Sequence, residues 1–214
     1  MRPPGSGGES TRRDAGRRRR LCGAALLAGL LLAPLARGAG TAAAPEPQLV
    51  PARSAISFIS HQMGVPISGE FRSFEAQVRF DPAAPATGHF VVSVDLASVV
   101  LPTRDAMQEV VKPGWFDAAR FPRAQFESTS IRPAGPGRYD IAGRLLIKGH
   151  ARDVTVPVRL QREGALTLAS GSLTVPRLAF AIGDGEWSDT SLVADDVQID
   201  FTLALSGLAA AAGP

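Results

Sequence analysis

Apolar and polar residues alternate with period two along most of the chain after Ser54. Phe74, Ala76, Val78 and Phe80 are set against Glu75, Gln77 and Arg79, and Phe90, Val92, Val94 and Leu96 against Ser93 and Asp95. Tyr139, Ile141, Gly143, Leu145 and Ile147 oppose Asp140, Arg144 and Lys148. Val154, Val156, Val158 and Leu160 oppose Asp153, Thr155 and Arg159, and Val197, Ile199, Phe201, Leu203 and Leu205 oppose Gln198, Asp200 and Thr202. Successive side chains of a strand point to opposite faces, so this pattern predicts strands with one buried and one wet face, and therefore an antiparallel sheet. Turn chemistry separates the runs at Asp81-Pro82 to Pro85, Arg132-Pro133 to Gly137, Lys148-Gly149 and Glu163-Gly164.

The spacing predicts about eight strands joined as hairpins. A sandwich and a closed up-and-down barrel both accommodate them. Strands of about ten residues exceed the usual five or six and favour the barrel, where tilt uses the length and closure removes edges. Residues 103–118 break the alternation: a helical turn is predicted from Arg104 to Lys112, stopped by Pro113-Gly114 and followed by Trp115-Phe116.

Composition changes this picture only at the N-terminus. The 214 residues are 45% hydrophobic and 20% charged, an ordinary globular mix. The formal charge of +3 would suggest a nucleic-acid partner, but eight arginines lie within residues 1–40. Arg12, Arg13 and Arg17 to Arg20 precede an uncharged Leu/Ala/Gly run from Leu21 to Ala36, and small residues follow. Basic, apolar and small-residue zones in that order describe a secretory signal peptide, with cleavage expected near residues 38–40. The apolar run is short for a bilayer span, which needs about 20 residues; an uncleaved anchor is the alternative. A twin-arginine route (Arg18, Arg19) and the general route are both open.

Without residues 1–40 the chain carries 15 Lys and Arg against 18 Asp and Glu, and no cysteine, since Cys22 lies in the removed segment. A nucleic-acid partner loses its support, and periplasmic localisation is expected. The domain layout predicted is a signal peptide over 1–40, a Pro/Ala-rich arm over 41–52, a β domain over 53–206 and a small-residue tail over 207–214.

Catalytic motifs are missing. His61, His89 and His150 are far apart, and the sequence contains no HExxH pair, Gly-rich phosphate loop, GxSxG elbow or zinc spacing. Asp184, Glu186, Asp189 and Asp195-Asp196 lack the dense ligand pattern of an EF-hand, so a solvated connection is expected there rather than calcium. Neither a metal nor an organic cofactor is expected.

Four segments carry a family resemblance: Phe58 to Phe80 (FISHQMGVPISGEFRSFEAQVRF); Arg104 to Thr129, with Trp115-Phe116-Asp117 and Phe126-Glu127-Ser128-Thr129; Gly143 to Gly149 (GRLLIKG); and Phe180 to Ile199, with Trp187-Ser188-Asp189. Their order and spacing over about residues 50–206 resemble the YceI-like proteins, exported lipid-binding barrels associated with isoprenoid chains. The resemblance implies an all-β, eight-stranded, antiparallel, lipocalin-like up-and-down barrel with a short helix near one end. It also implies an apolar lipid partner and transient contact with the inner membrane; it leaves the oligomeric state open, a dimer included.

On that reading, Phe58, Phe74, Phe90, Trp115, Phe116, Phe126, Tyr139, Phe180, Trp187 and Phe201 are candidates for a cavity wall or its mouth. An inward aromatic of a barrel is equally well a core residue. His61 and Arg104 are candidates for meeting a polar headgroup; a strand-end hydrogen bond and an ion pair with Asp105 are their plainer roles. A carrier of a lipid with a long apolar tail is the leading function. An enzyme acting on such a lipid with His61 as acid or base, and a filled barrel serving as an interaction module, are the alternatives.

Overall fold

The structure, a computed structural model, describes residues 46–208. The expected signal peptide, the first residues of the arm and the last six residues of the tail lie outside that range.

Eleven strand segments form one continuous antiparallel sheet. They are β1 (Gln48–Leu49), β2 (Ala55–Gln62), β3 (Val65–Phe71), β4 (Phe74–Arg79), β5 (His89–Asp95), β6 (Val99–Val100), β7 (Arg123–Pro133), β8 (Arg138–Ile147), β9 (His150–Glu163), β10 (Leu166–Pro176) and β11 (Asp196–Ser206). Three staves are bent into two segments each: β1 with β2, β3 with β4, and β5 with β6. Eight staves therefore make up the sheet, as the alternation predicts. β1 closes it, because Gln48 pairs with Gln77 of β4 on one side and with Ser206 of β11 on the other. β2 continues the joint along β11 from Ala55 opposite Thr202 to Ile59 opposite Gln198.

Two expectations are corrected at the chain ends. The Pro/Ala-rich arm over 41–52 was set outside the β domain, yet Gln48 and Leu49 are ladder residues and Pro51–Arg53 form a single 3-10 turn. A two-residue strand is too short to show periodicity. Leu208, assigned to the tail, is buried in the core.

Two-residue turns set the registers. Met63-Gly64 joins β2 to β3 and Lys148-Gly149 joins β8 to β9, with positive φ at both residues of each turn. That geometry matches the twist of the flanking strands. Lys148 departs from its expected wet position: only 8% of its side chain is exposed, and its Nζ donates to the Ala181 carbonyl at 2.5 Å. The single helix, α1 (Arg104–Val110), starts where the sequence placed it. Thr103 caps it by accepting from the Ala106 N–H at 3.2 Å, and it stops just short of Pro113-Gly114.

The inward faces form two packed groups. At one end Phe80 meets Tyr139 edge-on at 5.0 Å and Phe90 at 5.6 Å, with Ile131 and Leu208 beside them. At the α1 end Phe180, 1% exposed, packs with Leu96, Ala124, Ile147, Val175 and Ile182. Phe180→Ala is expected to cost about 3–5 kcal/mol of stability, the range for emptying a buried aromatic site. Urea unfolding followed by far-UV circular dichroism checks it; a loss below about 1 kcal/mol would place Phe180 outside the supporting core.

Candidate functional site

Between the two packed groups lies an apolar cavity of about 720 Å³. A chain carbon in a liquid takes a volume comparable to the ~30 Å³ share of a water molecule, so the space matches roughly 20–25 such carbons. Its walls are the inward residues of most staves, for example Val78, Val92, Leu145, Val156, Leu173 and Leu203. Trp115, Phe116, Trp187 and residues of α1 stand around the other end.

Of the aromatics expected at the wall or mouth, Phe58, Phe90, Trp115, Phe116, Phe126, Trp187 and Phe201 line this cavity. Tyr139 is off it, in the plug with Phe80. Phe180 packs behind the wall, and Phe74 sits on the inward face of β4 opposite Val94 without reaching the space. His61 and Arg104 are also off it. Ile56, Phe58, Ser60 and Gln62 line the cavity, so period two turns His61 outward, where its side chain is exposed. Arg104 is exposed on α1 and makes no ion pair with Asp105, as neighbouring helix residues do not face each other. The enzyme alternative therefore has no His61 acid or base facing the cavity.

Three of the lining phenylalanines lie across glycines of the neighbouring stave. Phe58 covers Gly69, Phe126 covers Gly143 and Phe201 covers Gly171. A Cβ at Gly143 would come within 2.5 Å of both the Phe126 ring and the Glu127 carbonyl; at Gly171 it would meet the Pro157 carbonyl at 2.5 Å and Phe201 at 2.7 Å. The missing side chains let each ring lie against the wall instead of filling the interior. The alternation places Gly143 on the inward face but does not reveal its pairing with Phe126, because register between strands decides it.

Arg177 was not foreseen. It lines the cavity at 2% exposure and donates all five N–H groups to backbone carbonyls: Nε to Ala194 at 3.0 Å, Nη1 to Ile182 and Gly183 at 2.8 and 2.7 Å, and Nη2 to Trp187 and Val193 at 2.7 Å each. One guanidinium thus gathers the whole 182–194 segment around the mouth. Burial pulls the Arg177 pKa below its usual range, and the nearby Asp195 carboxylate pulls the other way. Asp195 also accepts from the Leu178 N–H at 2.9 Å.

The acidic loop is held by comparable local bonds. Asp184 lies 3.6 Å from the Lys148 Nζ, and Asp189 accepts from the Ser191 N–H and hydroxyl at 2.8 and 2.7 Å, which holds its carboxyl below the ordinary range. Among the described residues no group of three or more His, Cys, Asp or Glu side chains is placed to hold a metal.

Two outcomes are expected. At Gly69 the three atoms nearest an added Cβ all belong to the Phe58 ring, so Gly69→Ala should push that ring into the cavity. Affinity for a space-filling apolar ligand should fall while overpacking costs about 1–3 kcal/mol; tryptophan fluorescence titration reads the first and urea unfolding the second. Arg177→Lys supplies three donors for five carbonyls, leaving at least two unmet. It should destabilise the fold by about 2–5 kcal/mol and raise hydrogen exchange across residues 182–194; unchanged exchange would show that Arg177 does not hold the segment.

The family model described as the YceI-like domain matches residues 48–205, the whole barrel. Among curated relatives, a UPF0312 protein of Azotobacter vinelandii is 30% identical over 142 residues, covering 64% of this chain and 73% of that one. A UPF0312 protein of Pseudomonas fluorescens is 31% identical over 111 residues, but the match spans only 56% of its length. Among solved structures, BcnA of Burkholderia cenocepacia superposes with a TM-score of 0.71 at 45% identity, over 73% of this chain and 99% of that one. A polyisoprenoid binding domain from Saccharophagus degradans, implicated in plant cell wall breakdown, shares the fold with a TM-score of 0.61 at 15% identity, over 75% and 98% of the two chains. With the family model matched over the full circuit of staves, the chain belongs to the YceI-like domain family.

Proposed function

We propose that this protein is an exported carrier that holds a lipid with a long, isoprenoid-type apolar tail inside its barrel. The observation that carries the reading is the apolar cavity, three of whose lining rings lie across glycines where a Cβ would have pushed them inward. Burying a chain there is favourable by about 0.8 kcal/mol per CH₂, so the walls alone supply the binding and no cofactor is required. The Saccharophagus degradans neighbour, a polyisoprenoid binding domain, supports the choice of tail. The basic-apolar-small pattern of residues 1–40 supports export and a periplasmic location.

A tail of this length has to be collected from a membrane or delivered to one. Met63, 75% exposed, sits beside Leu192, 43% exposed, through the bond from the Met63 N–H to the Leu192 carbonyl at 2.8 Å, and Val65 is exposed on the same hairpin. Gln62 and Val193, their neighbours, line the cavity. This apolar tip beside the mouth supports transient contact with the inner membrane.

The reading is tested with a series of apolar chains of increasing length bound to the purified barrel. Affinity should rise about fourfold per added CH₂ and level off at roughly 20–25 carbons, when the cavity is full. Affinity independent of length, or purified protein whose organic extracts hold no apolar molecule, would overturn it.

A further inference from the structure

The polar groups around the cavity are unequal in what they offer a headgroup. Arg177 is the cation that lines it, and each of its five N–H groups is already bonded to a carbonyl. A headgroup could take one of those donors only by orphaning a buried carbonyl, which folding rarely tolerates. Asp105 and Glu109 of α1 line the same end. Glu109 is paired with the Lys112 Nζ at 2.6 Å, whereas Asp105 has no cation within ion-pair distance among the described residues. An anion entering here passes one uncompensated carboxylate and finds no free cationic donor beyond it.

Ser60, Gln62, Thr103 and Gln125 add neutral polar groups to the lining, and one enclosed donor among the described residues has no partner. The indole Nε1–H of Trp115 is enclosed and has no acceptor among the described residues. The ring lines the cavity at the α1 end, 5.6 Å from the Trp187 ring and 6.0 Å from the Arg177 guanidinium carbon. Buried indole N–H groups ordinarily find a partner, and a lone neutral donor satisfies one oxygen atom. It cannot replace the several charge-assisted bonds a phosphate or carboxylate gives up on leaving water.

We propose that the cavity selects lipids whose head is uncharged and carries an oxygen acceptor for Trp115 Nε1–H, and that it discriminates against anionic heads. This rests on the carrier reading above and adds the class of headgroup to it. The competing force is the positive field of Arg177, which would favour an anion if it outweighed the carboxylates and the cost of desolvation.

The test compares three ligands with the same polyprenyl tail: an alcohol, a monophosphate and the unsubstituted hydrocarbon. Affinities come from quenching of Trp115 and Trp187, the two tryptophans of the chain. The alcohol should bind at least about tenfold more tightly than the phosphate at low salt, with the gap narrowing as salt screens the mouth. Asp105→Asn should narrow the gap in the same way. In ¹⁵N-labelled protein, with the two indole signals assigned through Trp187→Phe, the Trp115 N–H resonance should move downfield with the alcohol and not with the hydrocarbon. Phosphate binding as tight as alcohol binding, or an indole resonance equally placed with alcohol and hydrocarbon, overturns the proposal while leaving the carrier reading intact. Failure of all three ligands to bind overturns both.

Discussion

Gln48 and Ser206 are ladder partners although 158 positions separate them, and the joint they begin turns a twisted sheet into a closed cylinder. Closure forces the inward face of every stave into one interior, so residues that would line a flat apolar surface enclose a volume instead. It also removes free backbone edges along most of the circuit. The cavity, the plug at one end and the crowded mouth at the other are consequences of that joint. An eight-stranded cylinder is just wide enough to be filled by its own side chains or to hold one small ligand.

Side-chain choice at a few wall positions settles which of these occurs. At the plugged end Phe80 meets both Phe90 and Tyr139. Further along, Phe58, Phe126 and Phe201 find glycine across the strand and lie back on it. The same residue type fills one part of the barrel and leaves room in another. Arg177 governs the mouth by a different route. A single buried cation saturates five carbonyls of a segment with little regular structure, so that segment is held by hydrogen bonds where hydrophobic burial alone would leave it loose.

The period-two runs placed most of the staves, the antiparallel pairing and the inward faces of β8, β9 and β11 correctly, because alternation is a local property of each strand. The short helix was legible for the same reason: Thr103 caps it and Pro113-Gly114 lies beyond its end. β1 was not legible, since two residues carry no period. Lys148 looked like a solvated turn residue, and only the approach of Ala181 and Asp184 from another part of the chain shows that it is buried.

For the site, the sequence identified all but one of the aromatics that line the cavity, missing Phe71, and could not separate them from Tyr139, Phe180 and Phe74. His61 was misplaced although the alternation of Phe58, Ser60 and Gln62 contained the signal that turns it outward. What the sequence by itself determined is the set of strands and which face of each is apolar, because both follow from neighbours two residues apart. What only the tertiary structure decided is where the barrel is full and where it is empty, and which donors at its mouth are already used. Those depend on register and contact between residues far apart in the chain, and no local pattern encodes them.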